Sequence, residues 1–257
     1  MNKIPNSLEK IIKGYTCHQE TSGHSEASTF LLKKENHSLY LKTQAANAIE
    51  PLQIEQEKME WLQGKLEVPK LLYYCQDEKR EYLLMTEIKG SDASDSAHIA
   101  NLPLVIKRLA HGLREIHSIC VEHCPFQRTL DVTIKEAQVR VEKNLVDTED
   151  FDEERKGKNA EELFQELLEK RPKKEDLVFT HGDYCLPNII LQNNEVSGFI
   201  DLGSAGISDR YQDIALAVRS IARNFGEQYI SLFLKEYGLE QVDQEKIYFY
   251  QLLDEFF

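Results

Sequence analysis

"FTHGDYCLPNIILQNNEVSGFIDLGSAG", residues 179–206, sets three polar side chains, Asp183, Asn188 and Asp201, around a run that otherwise reads as an apolar hairpin. "NIIL" and "VSGFI" are β-like and joined by a polar turn within Gln192 to Glu195, so they should pair antiparallel. With Asn194 and Glu195 at the centre of the turn, Asn188 falls opposite Asp201; with Asn193 and Asn194 there, Asn188 faces Phe199. A two-residue difference keeps every side chain on its face, and either register leaves Asn188 and Asp201 close at the open end. Two hard oxygen donors with room for water and phosphate oxygens suit Mg²⁺, which takes only one or two protein ligands. Asp183 lies outside that coordination shell but near enough to face a reacting hydroxyl. Any one of the three reads as an ordinary Asx turn; together, with "HGD" ahead of the strand pair and "IDLG" behind it, they point to chemistry.

The rest of the chain sets the frame. Its 257 residues, 41% hydrophobic, suffice for one large domain or two modest lobes. A net charge of −13 repels nucleic acid and anionic membranes and suits a cationic ligand. Five scattered cysteines argue against a disulfide framework and for a reducing compartment. "MNKIPNSLEKII" shows no secretory signal, and no segment approaches the roughly 20 apolar residues of a membrane helix. A cytoplasmic protein is expected, with no nucleic acid or membrane partner and no obligate protein partner evident.

Residues 1–90 read as mainly strand: "STFLLKK", "HSLYLKT" and "REYLLMTEI" are short runs rich in Leu, Tyr and Thr, separated by polar turns. Between them "PLQIEQEKMEWLQGKL" opens with Pro51, carries Leu52, Met59, Leu62 and Leu66 at helical spacing, and predicts one amphipathic helix. After the polar break "KGSDAS" the pattern turns helical. "LPLVIKRLAHGLREIHSI" begins behind Asn101, "KNAEELFQELLEK" has Asn159 as a cap, and "YQDIALAVRSIARNFG" and "EQYISLFLKEYG" each end at a glycine. The order is a strand-rich N-lobe (1–90, with a hinge at its end) and a mainly helical C-lobe (91–257) holding one hairpin.

"HGDYCLPN" followed by "FIDLG" resembles the catalytic and metal loops of the aminoglycoside phosphotransferases, a family with the protein-kinase fold. "WLQGKLEVPKLL", "DRYQDIALAVRSI" and the terminal "YQLLDEFF" resemble its 3′-phosphotransferase branch, so the likeness spans nearly the whole chain. It implies an α+β, protein-kinase-like two-lobed fold, with a nucleotide-binding N-lobe and a catalytic, substrate-binding C-lobe. It further implies ATP and Mg²⁺ as cofactors, and phosphorylation of the 3′-hydroxyl of kanamycin- or neomycin-type antibiotics, which inactivates them. Asp183 would be the catalytic base, and Asn188 and Asp201 the metal ligands.

A kinase-type lobe needs a strand lysine on the α- and β-phosphates, oriented by a helix carboxylate. "LYLKT" supplies Lys42. Of Glu50, Glu55, Glu57 and Glu60, only Glu55 sits on the stripe of Leu52, Met59 and Leu62; the others should be solvated. A carboxylate on a buried stripe is costly unless paired, which makes Lys42 its natural partner. "TSGHSEASTF" occupies the place of the phosphate-covering loop, where backbone N–H groups of Gly23, His24 and Ser25 could approach the β-phosphate, although it has one glycine and no Walker A pattern occurs. By resemblance, Tyr40 would stack on adenine and the backbone at Thr86 and Ile88 would pair with its edge.

"LVDTEDFDEER" holds six carboxylates in the eight residues from Asp147 to Glu154. Such runs are usually solvated faces, but an aminoglycoside carries several ammonium groups, each able to make a charge-assisted contact. By resemblance the substrate positions are Glu149, Asp152, Asp254, Glu255 and the terminal carboxylate of Phe257. Ser204 follows "DLG" where members of that family can carry arginine, so any phosphate contact of that arginine is missing or replaced. "HSICVEHCP", with His117, Cys120, His123 and Cys124, matches no familiar zinc spacing and reads as a helix end running into a turn at Pro125. Kinases of another small hydroxylated metabolite, such as choline or an amino sugar, and a non-catalytic pseudokinase scaffold are the competing readings. A pseudokinase is expected to lack the base, the lysine or a metal ligand, and this chain has all of them.

Overall fold

The computed structural model describes residues 4–20 and 27–257. The chain divides into two compact units, one made of Met1–Lys89 with Ser197–Gly203, the other of Gly90–Val196 with Ser204–Phe257.

The first unit comprises α1 (Asn6–Ile11), β1 (Thr16–Glu20), β2 (Ser28–Lys34), β3 (His37–Ala45), α2 (Leu52–Leu62), β4 (Leu71–Gln76) and β5 (Arg80–Thr86). The five strands form one antiparallel sheet in the order β1-β2-β3-β5-β4. Alternation along the strands assigns its faces. Leu32, Leu41, Tyr82 and Leu84 are buried with Leu8 of α1, and Phe30, Leu39 and Tyr73 pack against them. Tyr40 and Lys42, one position out of step, therefore stand on the opposite face. In β3, Lys42 is paired with Thr29 on one side and Leu83 on the other, a central position that fixes its backbone.

Helix α2 buries Leu52, Glu55, Lys58, Met59 and Leu62, while Glu50, Glu57 and Glu60 are exposed. It ends four residues earlier than its apolar spacing suggests. Gly64 takes φ +76°, and Leu66, buried all the same, belongs to the turn that follows. Phe199 N–H donates to the Glu67 carbonyl at 2.9 Å. A Cβ on Gly198 would lie 2.7 Å from that carbonyl oxygen, so the close approach requires glycine there. Ser197–Gly203, expected within the C-lobe, thus packs with the first unit.

The second unit contains β6 (Ser91–Asp92), α3 (Leu102–His117), α4 (Leu130–Glu142), α5 (Ala160–Glu169), β7 (Leu177–Thr180), β8 (Ile189–Gln192), the start of β9 (Glu195–Phe199), β10 (Gly206–Asp209), α6 (Tyr211–Phe225), α7 (Ile230–Tyr237) and α8 (Gln244–Asp254). The expected helix signals act locally. The Asn159 side chain accepts the Glu162 N–H at 2.8 Å at the start of α5, and Gly226 and Gly238, with φ of +99° and +98°, close α6 and α7. Helix α6 is buried nearly all round, from Ile214 to Val218 and at Ile221. The turn between β8 and β9 centres on Asn193 and Asn194, with φ of 54° and 61°, which is the second of the two registers considered. Strands β7 and β10 pair antiparallel, Thr180 opposite Gly206, so the "HGD" loop leaves one strand where the other begins. Among the described residues no helix is long and apolar enough to cross a membrane.

Candidate functional site

In the first unit, three charged groups expected at a phosphate site meet at one ammonium. Lys42 Nζ lies 2.8 Å from each carboxylate oxygen of Glu55 and 3.0 Å from Asp201 Oδ1. Burial by itself would lower the Lys42 pKa, but the charges of Asp201 and Glu55 outweigh it, and the net shift is upward. The ammonium therefore stays charged. Asp201 has φ +61° and a side chain that is 49% exposed. Two residues on, the buried Lys58 ammonium donates to the Gly203 carbonyl, pinning "DLG" to α2.

In the second unit, Asn188 Nδ2 donates to Asp183 Oδ2 at 2.7 Å and to the Asp183 carbonyl at 3.1 Å. These bonds use the amide nitrogen, so the Asn188 oxygen is the atom turned to acceptor duty. The loop itself is held from below by α6. Asp213, fully buried, accepts the His181 N–H at 2.7 Å and the Gly182 N–H at 2.8 Å, Ser220 Oγ accepts the Leu186 N–H at 3.0 Å, and Gln212 Nε2 donates to the Gly182 carbonyl at 3.0 Å. Gly182, with φ +86°, lies so near Ser204 that a Cβ would sit 2.2 Å from the Ser204 oxygen. Burial raises the Cys185 thiol well above its ordinary range, reinforced by the Asp183 carboxylate.

The acidic substrate candidates form a paired cluster. Asp254 meets Arg219, Glu255 lies 2.9 Å from Arg155 Nη1, and Asp152 meets Arg155, Arg219 and Arg223. Burial raises the pKa of Asp254, Arg219 opposes the shift and Asp183 adds to it. A buried carboxylate pushed upward by a neighbouring carboxylate marks a place that favours an added cation.

A family model described as the phosphotransferase enzyme family matches residues 19–250. The chain belongs to that family. An aminoglycoside 3′-phosphotransferase of Niallia circulans is 45% identical over 207 residues, 80% of this chain and 79% of the relative. The crystal structure of an aminoglycoside-3′-phosphotransferase of type VIII matches with a TM-score of 0.88 at 35% identity, over 98% of this chain and 97% of that one. An aminoglycoside phosphotransferase of Streptomyces rimosus, solved in complex with ADP and streptomycin, matches with a TM-score of 0.83 at 26% identity, over 97% and 95% of the two chains. This phosphotransferase accordingly has the protein-kinase-like α+β fold, is a kinase, and uses a nucleotide.

Within the phosphotransferase, not every expected position is arranged as the sequence suggested. Gly23, His24 and Ser25 lie outside the described residues. Tyr40 shares the sheet face of Lys42, as alternation requires. Thr86 N–H donates to the Lys70 carbonyl at 3.0 Å, so any adenine contact of its backbone falls to its carbonyl. Ile88 follows β5, with its side chain beside Gly198. Glu149 is exposed and stays apart from the arginine-paired cluster, its N–H taken by Asp147 at 3.0 Å. At the chain end Arg140 donates to the Phe256 carbonyl at 2.7 Å and stacks over the Phe257 ring at 5.3 Å. Ser204 borders a cavity of about 30 Å³ together with Arg128, Asp254 and Phe257, room for roughly one water. Of the suspected zinc residues, His117 is engaged by Tyr237 and Asp213, whereas the His123 side chain is 91% exposed.

Lys58, Asp213 and Arg219 escaped the sequence reading, and His117 entered it only among the zinc candidates. Asp213 alone left a signal, an acid at the head of the apolar "IALAV" run of α6.

Proposed function

We propose that this protein transfers the γ-phosphoryl group of ATP to the 3′-hydroxyl of an aminoglycoside of the kanamycin or neomycin type. The observation that carries the mechanism is Asp183, fastened by Asn188 at 2.7 Å through Oδ2, on a loop anchored to a buried α6 carboxylate. Oδ1 is then the atom that receives and orients the substrate hydroxyl. In a loose transition state there is little covalent work for the protein, so orientation of the nucleophile and neutralisation of phosphate charge do most of it.

Lys42, held charged between Glu55 and Asp201, neutralises the α- and β-phosphates. Magnesium suits each donor taken singly: Asn188 has an amide oxygen turned outward by the bonds its nitrogen makes, and Asp201 a half-exposed carboxylate, hard oxygens for an ion that takes one or two protein ligands and keeps most of its waters. Asn188 and Asp201 would hold it, and when bound it supplies further charge neutralisation at the phosphates. Tyr40 gives a stacking surface for adenine on the Lys42 face.

Asp254, and with it Glu255, receives the ammonium groups of the drug. The arginines already on these acids offset part of their charge, so the drug competes with Arg219 for Asp254. The five free cysteines fit a reducing cytoplasm. A coupled assay of ADP release with kanamycin, with choline and without acceptor tests the proposal. Kanamycin- and magnesium-dependent release is expected; release with choline and none with kanamycin overturns it.

A further inference from the structure

A chain of hydrogen bonds that none of the steps above uses ends at the proposed base's own loop. Asp213 Oδ2, which accepts the His181 N–H, is also 3.0 Å from His117 Nε2. His117 Nδ1 is 2.7 Å from the Tyr237 hydroxyl, and that hydroxyl is 3.1 Å from Arg210 Nη1. The His117 and Tyr237 rings meet edge to face, 5.6 Å apart. His117 and Asp213 are closed to solvent, at 4% and 0% side-chain exposure.

Donor chemistry fixes the direction at both ends of the chain. A carboxylate only accepts, so His117 Nε2 carries the hydrogen it shares with Asp213. A guanidinium only donates, so the Tyr237 oxygen accepts from Arg210 and its own hydrogen is left for His117 Nδ1. The sequence Arg210 to Tyr237 to His117 to Asp213 then runs one way, with the imidazole hydrogen on Nε2 directed at Asp213. With the hydrogen on Nδ1 instead, the Nε2 lone pair would face the Asp213 carboxylate. The buried carboxylate would lose a donor and repel its neighbour.

Asp213 also holds the N–H groups of His181 and Gly182, the two residues before Asp183. Gly182 is wedged against Ser204, so the loop cannot shift to recover a lost bond elsewhere. We infer that Tyr237 is a positioning residue for phosphoryl transfer: its hydroxyl holds the His117 ring through Nδ1, His117 completes the shell of Asp213, and Asp213 sets the loop that aims Asp183. This rests on the reading of Asp183 as the base.

The test uses the full chain and the variants Tyr237→Phe, His117→Gln, His117→Ala and Asp183→Ala. Tyr237→Phe keeps the ring contact and removes only the hydroxyl. It should lower kcat about tenfold while leaving the KM values for ATP and kanamycin within about twofold, since orientation rather than binding is lost. Nitrogen-15 NMR should show His117 protonated at Nε2 in the wild type, and in Tyr237→Phe an Nδ1 resonance moved by the loss of its hydrogen bond. His117→Gln, which can still present an N–H toward Asp213, should retain more kcat than His117→Ala. Wild-type kcat in Tyr237→Phe, an unchanged His117 Nδ1 resonance in that variant, or equal losses in His117→Gln and His117→Ala would each overturn the inference. Should Tyr237→Phe fail to fold, the His117 pair decides alone. Wild-type activity in Asp183→Ala would instead remove the base assignment itself.

Discussion

Lys42 and Glu55 form a closed two-point ion pair: Nζ stands 2.8 Å from both carboxylate oxygens, and the third ammonium hydrogen goes to Asp201 at 3.0 Å. All three donors of the ammonium are occupied in the free protein, so a phosphate oxygen must take the place of one of them. The half-exposed Asp201 is the partner that can leave at least cost. Glu55→Gln should therefore lower kcat/KM for ATP by at least about tenfold and, by leaving a buried charge underpaired, cost up to about 3–5 kcal/mol of stability. Glu57→Gln and Glu60→Gln, on the exposed side of α2, should change neither. Steady-state kinetics with thermal melts check this, and a reversed order would mean that α2 presents another face.

Asp183→Ala should reduce kcat by roughly 10²–10⁴ with nucleotide affinity nearly intact, because a base acts on the hydroxyl and not on ATP. Asp201→Ala should also weaken magnesium-dependent nucleotide binding. Calorimetric titration of ATP with and without magnesium separates the two roles; equal affinities in both variants and wild type, with activity retained, would contradict both.

The upward shift of Asp254 predicts proton release. In the free protein this carboxyl, raised by burial and by Asp183 against the pull of Arg219, holds its proton to higher pH than an ordinary aspartate. A bound ammonium favours the ionised form, so binding expels the proton in the interval between the raised pKa and the ordinary carboxylate range. Within that interval, where the drug's amines already carry their protons, the heat of kanamycin binding should vary with the ionisation enthalpy of the buffer. Asp254→Asn should abolish that variation. The same raised pKa means that Asp254's contribution to stability is largest at low pH and falls as pH rises through it. Buffer-independent heats in the wild type would show that the drug avoids Asp254.

Asp152 should behave differently from Asp254, although both were expected to hold drug. Three arginines, Arg155, Arg219 and Arg223, converge on it. Asp152→Asn should lower the thermal midpoint clearly, since it leaves buried guanidinium groups underpaired, while altering the kanamycin KM by less than Asp254→Asn does. Deleting Asp254–Phe257 cannot replace these point changes. Phe256 is 1% exposed and packs edge to face on Phe164 at 5.9 Å, so the deletion also opens the core.

What could be read from the sequence was whatever depends on local period. Glu55 stood out because a carboxylate on an apolar helical stripe has to be neutralised, and the caps at Asn159, Gly226 and Gly238 follow from backbone chemistry within a few residues. Lys58 did not stand out, since a lysine on a helix ordinarily reads as solvated and its bond to the distant Gly203 carbonyl is one that no local pattern reports. Strand β1 is exposed at every residue and polar in sequence; it exists because its backbone pairs with β2, which no side-chain pattern reports. Helix α4 went unread, and the arginines that neutralise Asp152, Asp254 and Glu255 are Arg155, at the end of the acidic run itself, and Arg219 and Arg223 of α6, so the acids looked available when they were not.

The route of the chain between the two units constrains how this protein can be recombined. The backbone passes from one unit to the other at Lys89–Gly90, again at Val196–Ser197, and back at Gly203–Ser204. A split or a crossover at residue 90 therefore yields a first fragment lacking Asp201, the backbone partner of Glu67 and the carbonyl that receives Lys58. Chimeras between relatives, and reassembling fragments, should work only when residues 1–89 and 197–203 descend from compatible parents, so the inheritable module is a discontinuous one.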